Sequence, residues 1–113
     1  MANRERRRHV RKRVNLSTTV RAANGSVLAG NLRDMSLSGG FIQLSPVPPF
    51  GTSIVVEVAI RGETFNLPAT VRWSKSGGVG VQFGSLGARA TYLITETLAE
   101  AEVVPDSRRP DTD

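Results

Sequence analysis

Asp34, Ser36 and Gly39 stand at positions i, i+2 and i+5 of the stretch "LRDMSLSGGFI", residues 32–42. In an extended backbone, residues i and i+2 share a face. This spacing therefore sets a carboxylate beside a hydroxyl, and Gly39 and Gly40 allow positive φ and let the backbone approach a ligand closely. An ordinary Asp/Ser turn between two strands has the same composition, and alone these residues favour the turn over a site. The second candidate is "RERRRHVRKR", residues 4–13, which holds seven of the chain's fifteen basic residues and one of its ten acids. Guanidinium forks grip phosphate oxygens and planar acceptors in pairs. The cluster reads either as a solvated basic tail or as an arm that closes over an anion.

Taken together the two candidates narrow the ligand. A carboxylate beside a glycine turn repels a bare phosphate, so the partner must carry hydrogen-bond donors as well as negative charge. Guanine has this property: its N1–H and N2–H₂ donate to a carboxylate, and its O6 and N7 accept from an arginine. A guanine nucleotide would use both halves of the chain's polar equipment.

Catalysis finds no such support. His9 is the one histidine, it lies among the arginines, and there is no cysteine. No Ser-His-Asp or Cys-His arrangement and no zinc site can be assembled from that set. The carboxylates are scattered, and no phosphate-loop or dinucleotide fingerprint is present. The expectation is a non-enzyme with no metal and no cofactor.

Net charge is +5, but the first 13 residues hold seven bases and one acid, which leaves the other hundred at −1. Nucleic-acid binders spread cations over a face that follows many phosphates. One concentrated cluster suits a small anion. The lack of cysteine is compatible with a reducing compartment, no apolar run reaches the length of a membrane span, and the basic start has no apolar signal core. The expectation is a soluble cytoplasmic protein with no membrane and no DNA partner.

The elements that must carry these groups read as six short strands, residues 14–23, 26–36, 41–45, 52–60, 63–74 and 79–84. They are separated by turn signals such as Asn24–Gly25, "PVPPFG" and Arg61–Gly62. From residue 88 the period changes: Ala90, Leu93, Ile94, Leu98 and Ala101 recur at helical spacing over 88–103. The organisation expected is a flexible basic arm over 1–13, a barrel with its helix over 14–104, and a disordered polar tail over 105–113, where Arg108 and Arg109 are solvated. Trp73 reads as a core or barrel-end residue and not as a stacking platform, Phe41, Phe65 and Phe83 read as core, and Phe50 as local packing or an exposed contact. Arg33, next to Asp34, reads as facing the other side of its strand.

At this point the chain resembles the PilZ domain family, the bacterial receptor module for cyclic di-GMP. That family's pattern, RxxxR followed by [D/N]xSxxG, is matched by "RRHVR", ending at Arg11, and by "DMSLSG", Asp34–Gly39. The late stretch "PATVRWSKSGGVGVQF" is similar to the family's last strands. The resemblance implies an all-β fold, a six-stranded antiparallel barrel with a flanking C-terminal helix. It implies that Arg7 and Arg11 grip guanine edges and phosphates, that Asp34 accepts from a guanine, that Ser36 contacts phosphate, and that Gly39 with Gly40 makes the close turn. Arg6 joins the set through the family's binding of stacked ligand pairs. In a shifted frame Arg4 or Arg8 would substitute.

On this reading the chain is a cyclic di-GMP receptor and adaptor. Its arm orders on ligand binding and signals to an unidentified protein effector, as a monomer or a ligand-dependent dimer. The alternatives are a degenerate module that binds protein but no nucleotide, and a small basic barrel that binds nucleic acid. The second is disfavoured by the shortage of aromatics outside core-like positions.

Overall fold

The computed structural model describes residues 10–101. Six strands follow one another: β1 (Lys12–Ala22), β2 (Val27–Met35), β3 (Gly39–Leu44), β4 (Ser53–Ile60), β5 (Glu63–Lys75) and β6 (Gly78–Phe83), and then α1 (Ala88–Ala99). All pairings are antiparallel, and the order β1-β2-β3-β6-β5-β4 closes on itself through β1 and β4. Alternation in the sequence builds this barrel directly. In β4, for example, Ile54, Val56, Val58 and Ile60 point inward, and they meet Leu32, Ile42, Leu67, Val71 and Val79 in one buried core.

The turns obey local chemistry. Gly25 sits at φ 95°, and Asn24 Oδ1 accepts from the Ser26 N–H at 2.9 Å, closing the β1–β2 hairpin. The β4–β5 hairpin turns on two residues, Arg61 at φ 51° and Gly62 at φ 84°, the two positive φ values of a type I′ turn. Helix α1 buries Ala90, Leu93, Ile94 and Leu98 in the same core, packed on β4. No helix among the described residues is long and apolar enough to cross a membrane.

Three element boundaries differ from the sequence reading by two residues or more. Strand β1 begins at Lys12, where Lys12 faces Met35 and Arg13 faces Asp34. Strand β3 begins at Gly39, because Gly39 and Gly40 pair with Gln82 and Val81 of β6 instead of turning freely. Helix α1 stops at Ala99. The N–H groups of Glu100 and Ala101 reach back only three residues, to Thr97 and Leu98, tightening the last turn and ending it.

Candidate ligand-binding face

Three β-bulges shape one end of the barrel. They interrupt the β1–β2 ladder between Arg13 and Leu16, the β2–β3 ladder between Leu32 and Asp34, and the β5–β6 ladder between Val71 and Trp73. A bulge sets two residues against one and so re-aims side chains. In β2 both Arg33 and Asp34 turn outward, between the buried Leu32 and Met35. In β5 both Arg72 and Trp73 turn outward, beyond the buried Val71.

The result is a single outward row across five strands: Arg13, Asp34, Phe41, Gly80 and Trp73, each the register partner of the next. The row one residue along, Lys12, Met35, Gly40 and Val81, faces inward.

Asp34 is the acid of the outward row. Its Oδ1 accepts from Arg11 Nη1 at 3.2 Å, and both side chains are largely sheltered, 16% and 17% exposed. Arg33 donates to Gln43 at 3.0 Å and Arg72 donates to Gln82 at 2.7 Å, both pairs on the barrel exterior. Arg11 bonds Asp34 and Arg13 is its register partner, while Arg33 on β2 and Arg72 and Lys75 on β5 add cations to the barrel exterior. A face of this kind attracts an anion while keeping one acceptor for its donors.

Phe41 and Trp73 stack across β6, their ring centroids 5.6 Å apart and their planes 15° from parallel. Two glycines make this possible. A β-carbon on Gly80 would lie 2.1 Å from the indole, and one on Gly78 would lie 2.3 Å from the tip of Phe41. The Lys75 ammonium stands 5.0 Å from the Phe41 ring centre and 6.0 Å from that of Trp73, within cation–π reach. The rings are half-buried and lie on the exterior.

The corner that follows β2 is built around Ser36, which is 2% exposed. Its N–H donates to Gly39 O at 2.8 Å, and its Oγ accepts from the Ser38 N–H at 3.1 Å and bonds Ser38 Oγ at 3.0 Å. Ser36 therefore organises the turn from within. The strand ends at Met35, so the i, i+2 alternation that would place Asp34 and Ser36 on one face no longer operates; Asp34 faces out and Ser36 is enclosed. The two glycines also have another cause than the one expected. Neither has a positive φ. A β-carbon on Gly39 would meet Val81 O at 2.1 Å, and one on Gly40 would meet Asp34 O at 2.4 Å. They are glycines because neighbouring strands pass too close for any side chain.

Of the residues singled out in the sequence, the structure brings Arg11, Asp34, Ser36, Gly39 and Gly40 to one end of the barrel. Arg6 and Arg7, with the alternates Arg4 and Arg8, lie outside the described residues. Sequence reasoning missed Arg33, Phe41 and Trp73. Simple alternation puts Arg33 on the other side of the strand from Asp34, and the bulge overturns that. Phe41 lies on the exterior, which corrects its core reading, and Trp73 stacks beside it; Phe83 is buried and Phe65 packs against the core as expected, and Phe50 is 69% exposed. The available signal was "GVGV" in β6, residues 78–81. Glycines at i and i+2 strip one face of a strand bare, and something bulky must cover it.

A separate groove of about 430 Å³ opens at the far end of β1, lined by Ala22, Leu28, Pro46, Val47, Pro49 and their neighbours. None of its lining residues is charged, so it offers no counter-charge to a nucleotide phosphate.

The family model of the PilZ domain matches residues 5–98. The chain belongs to the PilZ domain family. Solved structures with this PilZ fold include the PilZ domain of CeSA from a cellulose-synthesizing bacterium, at 20% identity and TM-score 0.66, covering 79% of this chain and 94% of that one. The PilZ domain of YcgR from Escherichia coli, solved with c-di-GMP, is 17% identical with TM-score 0.67 over 84% of this chain and 90% of that one. The Bacillus subtilis inhibitor of motility MotI/DgrA is 18% identical with TM-score 0.61; 85% of this PilZ chain spans about half of it, 53%. No curated protein matches the chain by sequence. The closed barrel with one C-terminal helix is the fold that the family resemblance implied.

Proposed function

We propose that the chain is a cyclic di-GMP receptor that acts by binding and hands its signal to a protein partner. The observation that carries this reading is the outward row in which Asp34, already bonded to Arg11, stands beside the Phe41–Trp73 ring pair. A cyclic dinucleotide presents two negative charges, guanine donors and flat rings, and each has a counterpart on this face.

Asp34 accepts from the N1–H and N2–H₂ of one guanine. Arg11, released from Asp34 or shared with it, turns to a phosphate or to the guanine O6/N7 edge. The base stacks over the aromatic pair, taking the place of the Lys75 ammonium, which then faces a phosphate. Ser36 acts through the shape of the corner. Arg7 and Arg6 close over the ligand from the N-terminal segment, and this closure, driven by neutralisation of a dense cationic strip, is the change a partner protein reads.

Titration calorimetry with cyclic di-GMP, beside GTP and a short oligonucleotide, tests the proposal. Saturable binding of cyclic di-GMP alone is expected. Exclusive binding of the oligonucleotide with steep salt dependence would replace the reading with a nucleic-acid barrel, and binding of none would leave a protein-interaction module.

A further inference from the structure

Helix α1 has no acidic residue in its first turn and no basic residue in its last, and Gly87 gives it no side-chain cap. The last carbonyls of a helix lack intrahelical donors and gather partial negative charge. Here the barrel supplies the missing cations. Lys12 Nζ donates to Leu98 O at 3.0 Å. Arg61 donates to Thr97 Oγ1 at 3.0 Å, to Glu96 O at 3.1 Å and to Glu100 Oε1 at 3.2 Å. Arg61 does this from φ 51°, a position in a type I′ turn normally held by Asn, Asp or Gly.

Lys12 is the chain neighbour of Arg11. Arg11, just ahead of β1, reaches Asp34, and Lys12, the first residue of the strand, reaches the helix end. One peptide link therefore joins a cation of the candidate site to a cation that holds α1. This start of β1 is also set apart from the rest of the strand. The Lys12–Met35 and Arg13–Asp34 pairs lie beyond the bulge, cut off from the continuous ladder that begins at Leu16–Leu32. Short extensions of a ladder open locally at little cost.

We propose that the start of β1 couples the ligand face to helix α1: filling the site fixes Arg11, and with it Lys12, so that the last turn of α1 is held more firmly when nucleotide is bound. The coupling rests on the receptor reading for its ligand, but the contacts that transmit it exist without one. By linkage, the helix end and the ligand strengthen each other by the same factor. Arg61 holds the same turn from the β4–β5 hairpin, outside this route, and serves as the internal control.

The test is amide hydrogen exchange across α1 in the full chain, with and without cyclic di-GMP. In the wild type, nucleotide is expected to slow exchange in the last turn, residues 98–101, by about fivefold or more. Lys12→Met should abolish that change and weaken nucleotide binding by a similar factor. Arg61→Met should loosen the turn in both states yet keep the nucleotide-dependent change. Without nucleotide, Asp34→Ala should speed exchange in the last turn of the wild type and have no such effect in the Lys12→Met background. If cyclic di-GMP binds by calorimetry and the last turn does not respond, the coupling is refuted and the receptor reading stands. If cyclic di-GMP does not bind, the receptor reading falls and the Asp34→Ala comparison decides: unchanged exchange there refutes the coupling, and faster exchange that depends on Lys12 upholds it.

Discussion

Arg11 and Asp34, 23 residues apart in the chain, already form an ion pair at 3.2 Å across the start of the β1–β2 ladder. The two polar motifs of the sequence are therefore joined by a bond that a ligand must share or replace. Removing either partner is expected to weaken cyclic di-GMP binding by roughly tenfold to a hundredfold, since a hydrogen bond to a charged group contributes about 1.5–3 kcal/mol. Folding stability should fall by about 1–3 kcal/mol, because the pair is largely sheltered and a hydrogen bond between charged groups there counts for more than an exposed ion pair. Calorimetry and chemical denaturation of Arg11→Ala and Asp34→Ala measure both quantities. Full affinity in either variant contradicts the assignment.

Trp73 is the chain's one tryptophan, so its emission reports the aromatic face without a label. Quenching on addition of cyclic di-GMP is expected. Trp73→Ala should cost about 1–3 kcal/mol of binding, the usual worth of stacking a base on an aromatic ring, and Trp73→Phe should keep most of it. A Trp73→Ala protein with wild-type affinity would return the pair to a purely structural role.

Gly80→Ala separates that role from folding. Its β-carbon would lie 2.1 Å from the indole, an outward side chain that can move away. The emission maximum should shift and nucleotide binding should weaken, while the thermal midpoint changes little. Gly39→Ala behaves differently, because its β-carbon would meet the backbone oxygen of Val81 at 2.1 Å. The β3–β6 ladder must open to admit it. A loss of about 1–3 kcal/mol is expected, as for overpacking of a well-packed interior, visible as a lowered denaturation midpoint.

Ser36→Ala removes the oxygen that bonds the Ser38 N–H and hydroxyl inside the corner. The expected cost is about 1–2 kcal/mol of stability, from a buried donor left without its partner. Nucleotide affinity should fall less than in Asp34→Ala, since the serine acts by holding the loop. Calorimetry beside a denaturation curve checks the order of the two variants; a larger loss for Ser36→Ala would mean that its hydroxyl leaves the corner to meet the ligand.

Much of the barrel can be read from residue order alone. Ile54, Val56, Val58 and Ile60 alternate without interruption, and Asn24–Gly25 and Arg61–Gly62 mark hairpins by their need for positive φ. Asp34 and Arg11 stand out in the sequence only through the two matched motifs, and the structure brings their side chains together. Arg33, Phe41 and Trp73 resist the same treatment for a physical reason. Inward and outward are decided by counting residues, and a bulge shifts the count by one where the ladder partner, not the local sequence, allows it. An aromatic ring likewise satisfies its hydrophobicity as well on bare glycine backbone as in a core, so Phe41 and Trp73 carry no mark of which they chose. Ser36 shows the converse error: the extended geometry assumed for it ends one residue earlier, at Met35.

The joining of β1 to both β2 and β4 has a consequence for the company this domain keeps. Among the described residues every strand has two neighbours, so the barrel offers no open seam at which a visiting peptide could add itself as a seventh strand. Recognition by another protein has to be written in side chains on the wall, in the rim loops or along the helix. The barrel is thereby spared the edge-to-edge sticking that threatens small open sheets, at whatever concentration the cell requires.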